Sequence, residues 1–286
     1  MAAAVTISID LELAWGNWDD IDSAELALVE QCSRPIVARL LELFERHEVA
    51  ATWAIVAALL DPNAHRPAGG AEAAWYAPDI VTAIARSTSK HEIGSHGGRH
   101  LYFDRIGNDE ATCDLTYARD LHRQHGLPFN SFVYPRNLVG KRGLLARHGI
   151  DVFRAPDAAW HQRLRERSER LGRLANLIDK ALPIAPPPVV PSVDHDMVRL
   201  PSSMLLMGRQ GARDIVPAAM MRRKLKAGIA AAIETKRTFH LWFHPSNFYH
   251  RPELQFCLLE DFLGEVAGRR REGAITVRTM GSFATG

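Results

Sequence analysis

Hydrophobic positions along the chain fall into short runs of β-branched and aromatic residues, separated by longer segments of helical period. VTISIDL at 5–11 is a dense strand pattern, and residues 23–47 follow as a helix with Val29, Ile36, Leu40 and Leu43 on its apolar stripe. Ser23 is the expected N-cap, and Arg46 with His47 suits the C-terminal end. ATWAIVAAL at 51–59 reads as a buried strand passing into a helix or loop. APDIVTAIARS at 77–87 is a helix with Pro78 in its first turn, and HEIGSH at 91–96 a short strand. Helix is then expected over 109–125, strand over FNSFVY (129–134), helix over 138–149 up to Gly149, and strand over IDVFRA (150–155). The last third predicts helix over 216–235, strand over TFHLWFH (238–244), helix over 252–270 and strand over AITVRTM (274–280). Strand alternating with helix at this spacing predicts an α/β fold with a parallel sheet, open or closed into a barrel.

One stretch breaks the rhythm. Residues 158–182 carry Trp160, Leu164, Leu171, Leu174, Ile178 and Leu182 at helical spacing, with Arg163, Arg165, Arg167, Arg170 and Arg173 on the remaining surface. PIAPPPVVPSV at 183–193 follows, too rich in proline for a helix or a central strand. The segment at about 158–192 is therefore expected as an excursion whose apolar face packs on the main body.

Composition narrows the options. At 286 residues the chain suits one large domain spanning 1–286. With 35 Lys plus Arg against 33 Asp plus Glu, nothing in the overall charge favours nucleic acid or an anionic membrane as partner. Cys32, Cys113 and Cys257 lack the spacing of a thiolate metal site. The longest mainly apolar run, 49–60, is shorter than the roughly 20 residues a membrane span needs. The first residues lack the basic start of a secretion signal, so a cytoplasmic location is expected. What remains conspicuous is 13 histidines, and the question is where they cluster.

Three places put polar chemistry inside strand-like sequence. Asp10 and Glu12 lie two apart at the end of the first strand, on one face, where burial needs a cation or a shared proton. His96 and His100, in SHGGRH, lie four apart after a short strand; a helical turn there would aim both imidazoles at one ion. Two histidines and a carboxylate form a donor set typical of catalytic zinc. His244 ends the strand TFHLWFH, where a histidine can serve as general acid, while His240 within it reads as a core residue. These segments, with Tyr134-Pro135-Arg136, all fall at the carboxyl ends of expected strands, where parallel α/β folds place their sites.

In order, SIDLE, SHGGRH, FVYPRN and HLWFHP resemble the motifs of the polysaccharide deacetylase family, the NodB-homology or family 4 carbohydrate esterases. The resemblance runs from residue 6 to 247. It implies a distorted (β/α) barrel and a metal-dependent removal of N-acetyl groups from a sugar. Glu12, His96 and His100 would hold one divalent ion, zinc first among the candidates. Asp10 would be the base, His244 the acid, and Arg136 the partner that orients Asp10. Leu11 separates the two acids where the family has adjacent aspartates, so exchange of the Asp10 and Glu12 roles stays open. The family's arginine precedes its proline, whereas Arg136 follows Pro135, and only Asp157 with Trp160 answers the family's remaining acid–tryptophan motif. Tyr134, Pro135 and Trp242 would flank the substrate, and Trp15, with Trp18 and Trp75, would stack on sugar rings. The expected partner is an N-acetylated sugar or a cytoplasmic glycan precursor. Two alternatives share the fold: hydrolysis of a small amide or cyclic imide, as in allantoinase-like relatives, and a silent carbohydrate-binding scaffold.

Overall fold

The computed structural model describes residues 2–156 and 184–284. Ten strands form one sheet: β1 (Ala4–Leu11), β2 (Thr52–Ile55), β3 (Glu92–Ser95), β4 (Ser131–Val133), β5 (Val152–Ala155), β6 (Ser192–Asp194), β7 (Met197–Pro201), β8 (Met204–Leu205), β9 (Thr238–Phe243) and β10 (Thr276–Val277). Their order is β6-β7-β5-β4-β3-β2-β1-β9-β8, and β10 pairs with Ala4 and Val5 at the start of β1. Every pairing is parallel except the β6–β7 hairpin. Six helices accompany it among the described residues: α1 (Ser23–His47), α2 (Pro78–Arg86), α3 (Asn108–Gln124), α4 (Arg142–Arg147), α5 (Ala218–Thr235) and α6 (Pro252–Arg271).

The two edges of this sheet meet. Pro201 of β7 lies opposite Ala155 of β5, and Met204 of β8 lies opposite Leu241 of β9. Only Ser202 and Ser203 separate them, and their amides bond to Ala155 O at 3.2 Å and His240 O at 2.8 Å. One short segment therefore stitches both margins together and curls the sheet into a distorted (β/α) barrel, as the resemblance implies.

Strand alternation decides what lies inside. Val5, Ile7, Ile9 and Leu11 of β1, with Phe239, Leu241 and Phe243 of β9, join the helix-packed core that includes Leu40, Phe44, Leu259 and Phe262. The intervening Thr6, Ser8, Asp10 and His240 are equally buried but face the other way, so the barrel interior is polar near its carboxyl end.

Several expectations change in detail. The N-cap of α1 is Asp22, whose carboxylate accepts from Glu25 N at 2.8 Å, one residue before the expected Ser23. The final strand shortens to two residues. The β6–β7 hairpin and β8 were not anticipated; the hairpin turns on His195 and Asp196, both at positive φ (51° and 63°). Of the expected excursion, the helix at 158–182 and its arginines lie outside the described residues. In the proline-rich part that follows, Val189 bridges to Thr238. Among the described residues, no helix is long and apolar enough to cross a membrane.

A buried histidine on α3 is expected to weaken this fold in acid. His122 is 0% exposed and its Nδ1–H donates to Pro128 O at 2.6 Å; burial holds its pKa down at about 4 against an ordinary 6.5. Between those values the unfolded chain binds the extra proton, so stability falls as pH drops from about 6.5 to 4. His122→Asn, which can keep the bond to Pro128, is expected to flatten that part of a pH series of urea unfolding curves by on the order of 2 kcal/mol. An unchanged slope would show that His122 does not set it.

Candidate active site

The site is assembled at the carboxyl ends of β1, β3, β5 and β9. Glu12 lies just past β1, before a short 3₁₀ turn (Leu13–Asn17) that folds back over it. Gly16 leaves room for that carboxylate: a Cβ there would lie 2.3 Å from Glu12 Oε1 and would displace it.

His96 and His100 converge, but not by a helical turn. Gly97 (φ 81°) and His100 (φ 59°) adopt left-handed conformations, and the loop between them is clamped from both sides. Ala57 N and Ala58 N donate to the Gly97 and Gly98 carbonyls at 3.0 and 2.9 Å. Below, the buried Asp114 carboxylate of α3 accepts from Gly98 N at 2.7 Å and Arg99 N at 2.9 Å. A Cβ on Gly98 would lie 2.6 Å from Asp114 Oδ1, so only glycine fits there. Burial raises the Asp114 pKa, against the pull of those two amides. Asp114 was missed in the sequence, although an acid among Ala111, Leu115 and Ala118 on the buried stripe of α3 was a readable signal.

Glu12, His96 and His100 form one cluster, with a ligand-type atom from each lying within 4.8 Å of the others. His96 Nδ1 sits 2.8 Å from Val133 O; a carbonyl only accepts, so Nδ1 carries the proton. In the neutral ring Nε2 is then a lone pair, facing Glu12 Oε2 at 3.2 Å. His100 Nε2 lies 3.1 Å from the same oxygen, out of line for a hydrogen bond, and both of its ring nitrogens are buried without a hydrogen-bond partner. Lone pairs converging on a carboxylate oxygen require a cation or a proton among them. The donor set, the fixed His96 tautomer and the unpartnered His100 nitrogens all fit a divalent metal ion. Burial works against ionisation of Glu12, yet electrostatic attraction to His244 and the close approach of His100 and His96 hold its pKa well below the ordinary value.

Asp10 is 2% exposed and gripped at both oxygens by Arg154, at 2.7 and 2.6 Å. Arg154 is itself fully buried on β5, donates to Ser8 Oγ at 3.0 Å and Asn137 Oδ1 at 3.0 Å, and lies 4.4 Å over the Trp242 ring. Burial alone would raise the Asp10 pKa; the Arg154 guanidinium, with smaller contributions from His96 and His244, outweighs it, and the carboxyl stays below its ordinary value. His244 Nε2 stands 3.5 Å from Asp10 Oδ2 and 3.5 Å from Glu12 Oε1. Its backbone is held by Asn247, whose side chain accepts from His244 N at 2.9 Å.

The expected partner of Asp10 is therefore corrected: Arg154 takes that place, and Arg136 is at the rim. Arg136 and Asn137 both have positive φ (50° and 55°), which turns Asn137 inward to Arg154 and Arg136 outward to Asp19 at 3.0 Å. There Arg136 lies over the Tyr102 ring at 4.9 Å, and the Tyr102 hydroxyl donates to the same Asp19 at 2.8 Å. Trp15 is corrected as well. It is 1% exposed, its indole N–H donates to Trp75 O at 2.9 Å and its ring packs edge-on against Trp75, itself 1% exposed, so neither offers a face to a sugar. Tyr134 is fully buried among Phe103, Phe132 and Phe153, and Pro135 is buried beside the Gly97 loop, so both support the site from behind. Trp242 does reach the site, with its ring centroid 5.5 Å from that of His244. Trp18 is partly buried and donates to His100 O at 3.3 Å.

Fold and site together define a parallel α/β barrel with a His, His, carboxylate cluster at its carboxyl rim. Solved structures of the same architecture carry the comparison further. A protein assigned as a polysaccharide deacetylase from Mycobacterium smegmatis superimposes with a TM-score of 0.70 at 17% identity, over 99% of this chain and 88% of that one. Another so assigned, from Pseudomonas aeruginosa PAO1, gives 0.68 at 14% identity over 99% and 89%, and the Puue allantoinase 0.66 at 13% over 99% and 89%. The chain thus has the NodB-type polysaccharide deacetylase fold. No family model and no curated protein sequence matches it.

Proposed function

We propose that this protein is a metal-dependent amide hydrolase that removes the N-acetyl group of a sugar. The observation that supports this most is the meeting of a three-donor cluster, an Arg-held carboxylate and a histidine within one rim. Glu12, His96 and His100 would hold the ion. A divalent cation bound there supplies Lewis-acid polarisation of water and of an amide carbonyl. Asp10 accepts the proton of the water that adds to the carbonyl carbon. His244, 3.5 Å from both carboxylates, gives a proton to the nitrogen as the C–N bond breaks, so acetate and a free amine leave. Arg154 fixes the orientation of Asp10 throughout.

A second reading, hydrolysis of a small non-sugar amide or cyclic imide, is favoured by the burial of Trp15 and Trp75, which removes two expected sugar platforms. The likeness to an allantoinase at similar TM-score goes the same way, since one fold hosts several chemistries. Elemental analysis combined with a substrate panel tests both. The panel holds N-acetylated monosaccharides, oligosaccharides, nucleotide-linked sugars, allantoin and cyclic imides, each run with and without chelator. Chelator-sensitive acetate release supports the first reading and ring opening of an imide the second. No hydrolysis by metal-loaded protein would overturn both in favour of a silent scaffold.

A further inference from the structure

Among the described residues, His240 is the one histidine near the site without a task in the proposed reaction. It lies inside the barrel on β9, 0% exposed, with both ring nitrogens engaged. Nδ1 is 3.0 Å from Pro201 O and Nε2 is 2.9 Å from Ser8 Oγ. Ser8 is on the same face of β1 as Asp10, and Arg154 Nη1 donates to Ser8 Oγ and to Asp10 Oδ1 alike.

The polarity of this chain is settled at both ends. Arginine can only donate, so Ser8 Oγ accepts from Arg154; a carbonyl can only accept, so His240 Nδ1 donates to Pro201. Burial and the nearby Arg154 charge hold the His240 pKa down at about 3, so the ring is neutral and Nε2 is a lone pair. The Ser8 hydroxyl proton must then point to His240. Without that acceptor the hydroxyl is free to turn, and Asp10, which shares Arg154 Nη1 and the strand face with Ser8, is an acceptor it can turn to.

From this we infer that His240, acting through Ser8, is a positioning residue: it keeps the Ser8 proton off Asp10 and fixes the Arg154 fork that holds the base. The inference rests on the reading of Asp10 as base. A hydroxyl turned onto that carboxylate would occupy a lone pair and weaken its proton affinity, with no effect on how substrate is held.

Two near-isosteres separate this role from simple packing. His240→Asn can keep the donor to Pro201 but has no acceptor at the Nε2 position, whereas His240→Gln puts an amide oxygen there. With the best substrate of the panel, His240→Asn is expected to lose roughly ten- to a hundredfold in kcat with KM little changed, the scale of other outer-shell contacts. His240→Gln is expected to recover most of that loss. Equal losses in both variants, or none in Asn, would overturn the role. A readout independent of activity is the ¹⁵N spectrum of histidine-labelled protein, with His240 assigned by its absence from the variants. The expected signature is a neutral ring protonated at Nδ1, with an Nε2 resonance that moves in Ser8→Ala. A ring protonated at Nε2 defeats the inference. Full activity of Asp10→Asn would defeat the reading of the site while leaving that spectral result to stand on its own.

Discussion

Replacing Arg154 with methionine is expected to destabilise the protein by roughly 3–5 kcal/mol at neutral pH and to abolish hydrolysis, because it strands a charge in the barrel interior. Asp10 is 2% exposed and Arg154 wholly buried, so neither is held by solvent. The carboxylate that two guanidinium bonds now satisfy would keep its burial cost and lose its largest compensation. Ser8 and Asn137 would lose their donor as well. The double variant Asp10→Asn with Arg154→Met is expected to recover much of the stability but none of the turnover, since removing a buried pair together costs far less than removing one partner. Chemical unfolding of the four proteins of this cycle measures both. A single variant within about 1 kcal/mol of the wild type would mean that water, not Arg154, solvates Asp10.

Arg154 also shows where sequence reading fails. The alternation of strands and helices was legible because it depends on local period: α1, expected over 23–47, has those bounds in the structure. His96 and His100 were legible from their spacing, their place after a strand and the SHGGRH motif, although left-handed residues and not a helical turn bring them together. In IDVFRA, Arg154 reads as an ordinary polar position of a short strand. Its importance comes from partners on β1 and in the loop after β4, separations that only the closed barrel brings together. Arg136 answers the family motif as an arginine beside a proline and an aromatic at a strand end, but two successive left-handed residues there turn Asn137 inward and Arg136 outward, and sequence does not state φ. The barrel closure was hidden for a related reason. β7 and β8 are short because each is paired by a different margin of the sheet, and two serines between them leave no hydrophobic period to detect. For Trp15, aromatic residues at strand ends look alike whether a sugar or a neighbouring carbonyl meets the indole N–H.

The two acids of β1 are expected to separate into different roles when each is made neutral. Glu12→Gln should lose metal retention and activity together, while Asp10→Asn should retain metal and lose turnover by roughly 10²–10⁴-fold, the usual contribution of a general base. The assignment follows from what each carboxylate faces. Glu12 meets two imidazoles, one with its lone pair fixed by the Val133 carbonyl and one with no hydrogen-bond partner, which is the surrounding of a ligand. Asp10 meets a guanidinium that uses one lone pair on each oxygen and leaves the others for a water's proton. Binding to the folded state alone adds stability of about 2.7 kcal/mol at a free ion concentration of 100 Kd, so added zinc should raise the Tm of the wild type and of Asp10→Asn but not of Glu12→Gln. The reverse pattern, with zinc response lost in Asp10→Asn and kept in Glu12→Gln, would exchange the roles of the two acids. It would also make Arg154 the partner of a ligand, a poor arrangement on physical grounds, because a guanidinium 2.6 Å from the carboxylate competes with the cation for the same oxygens.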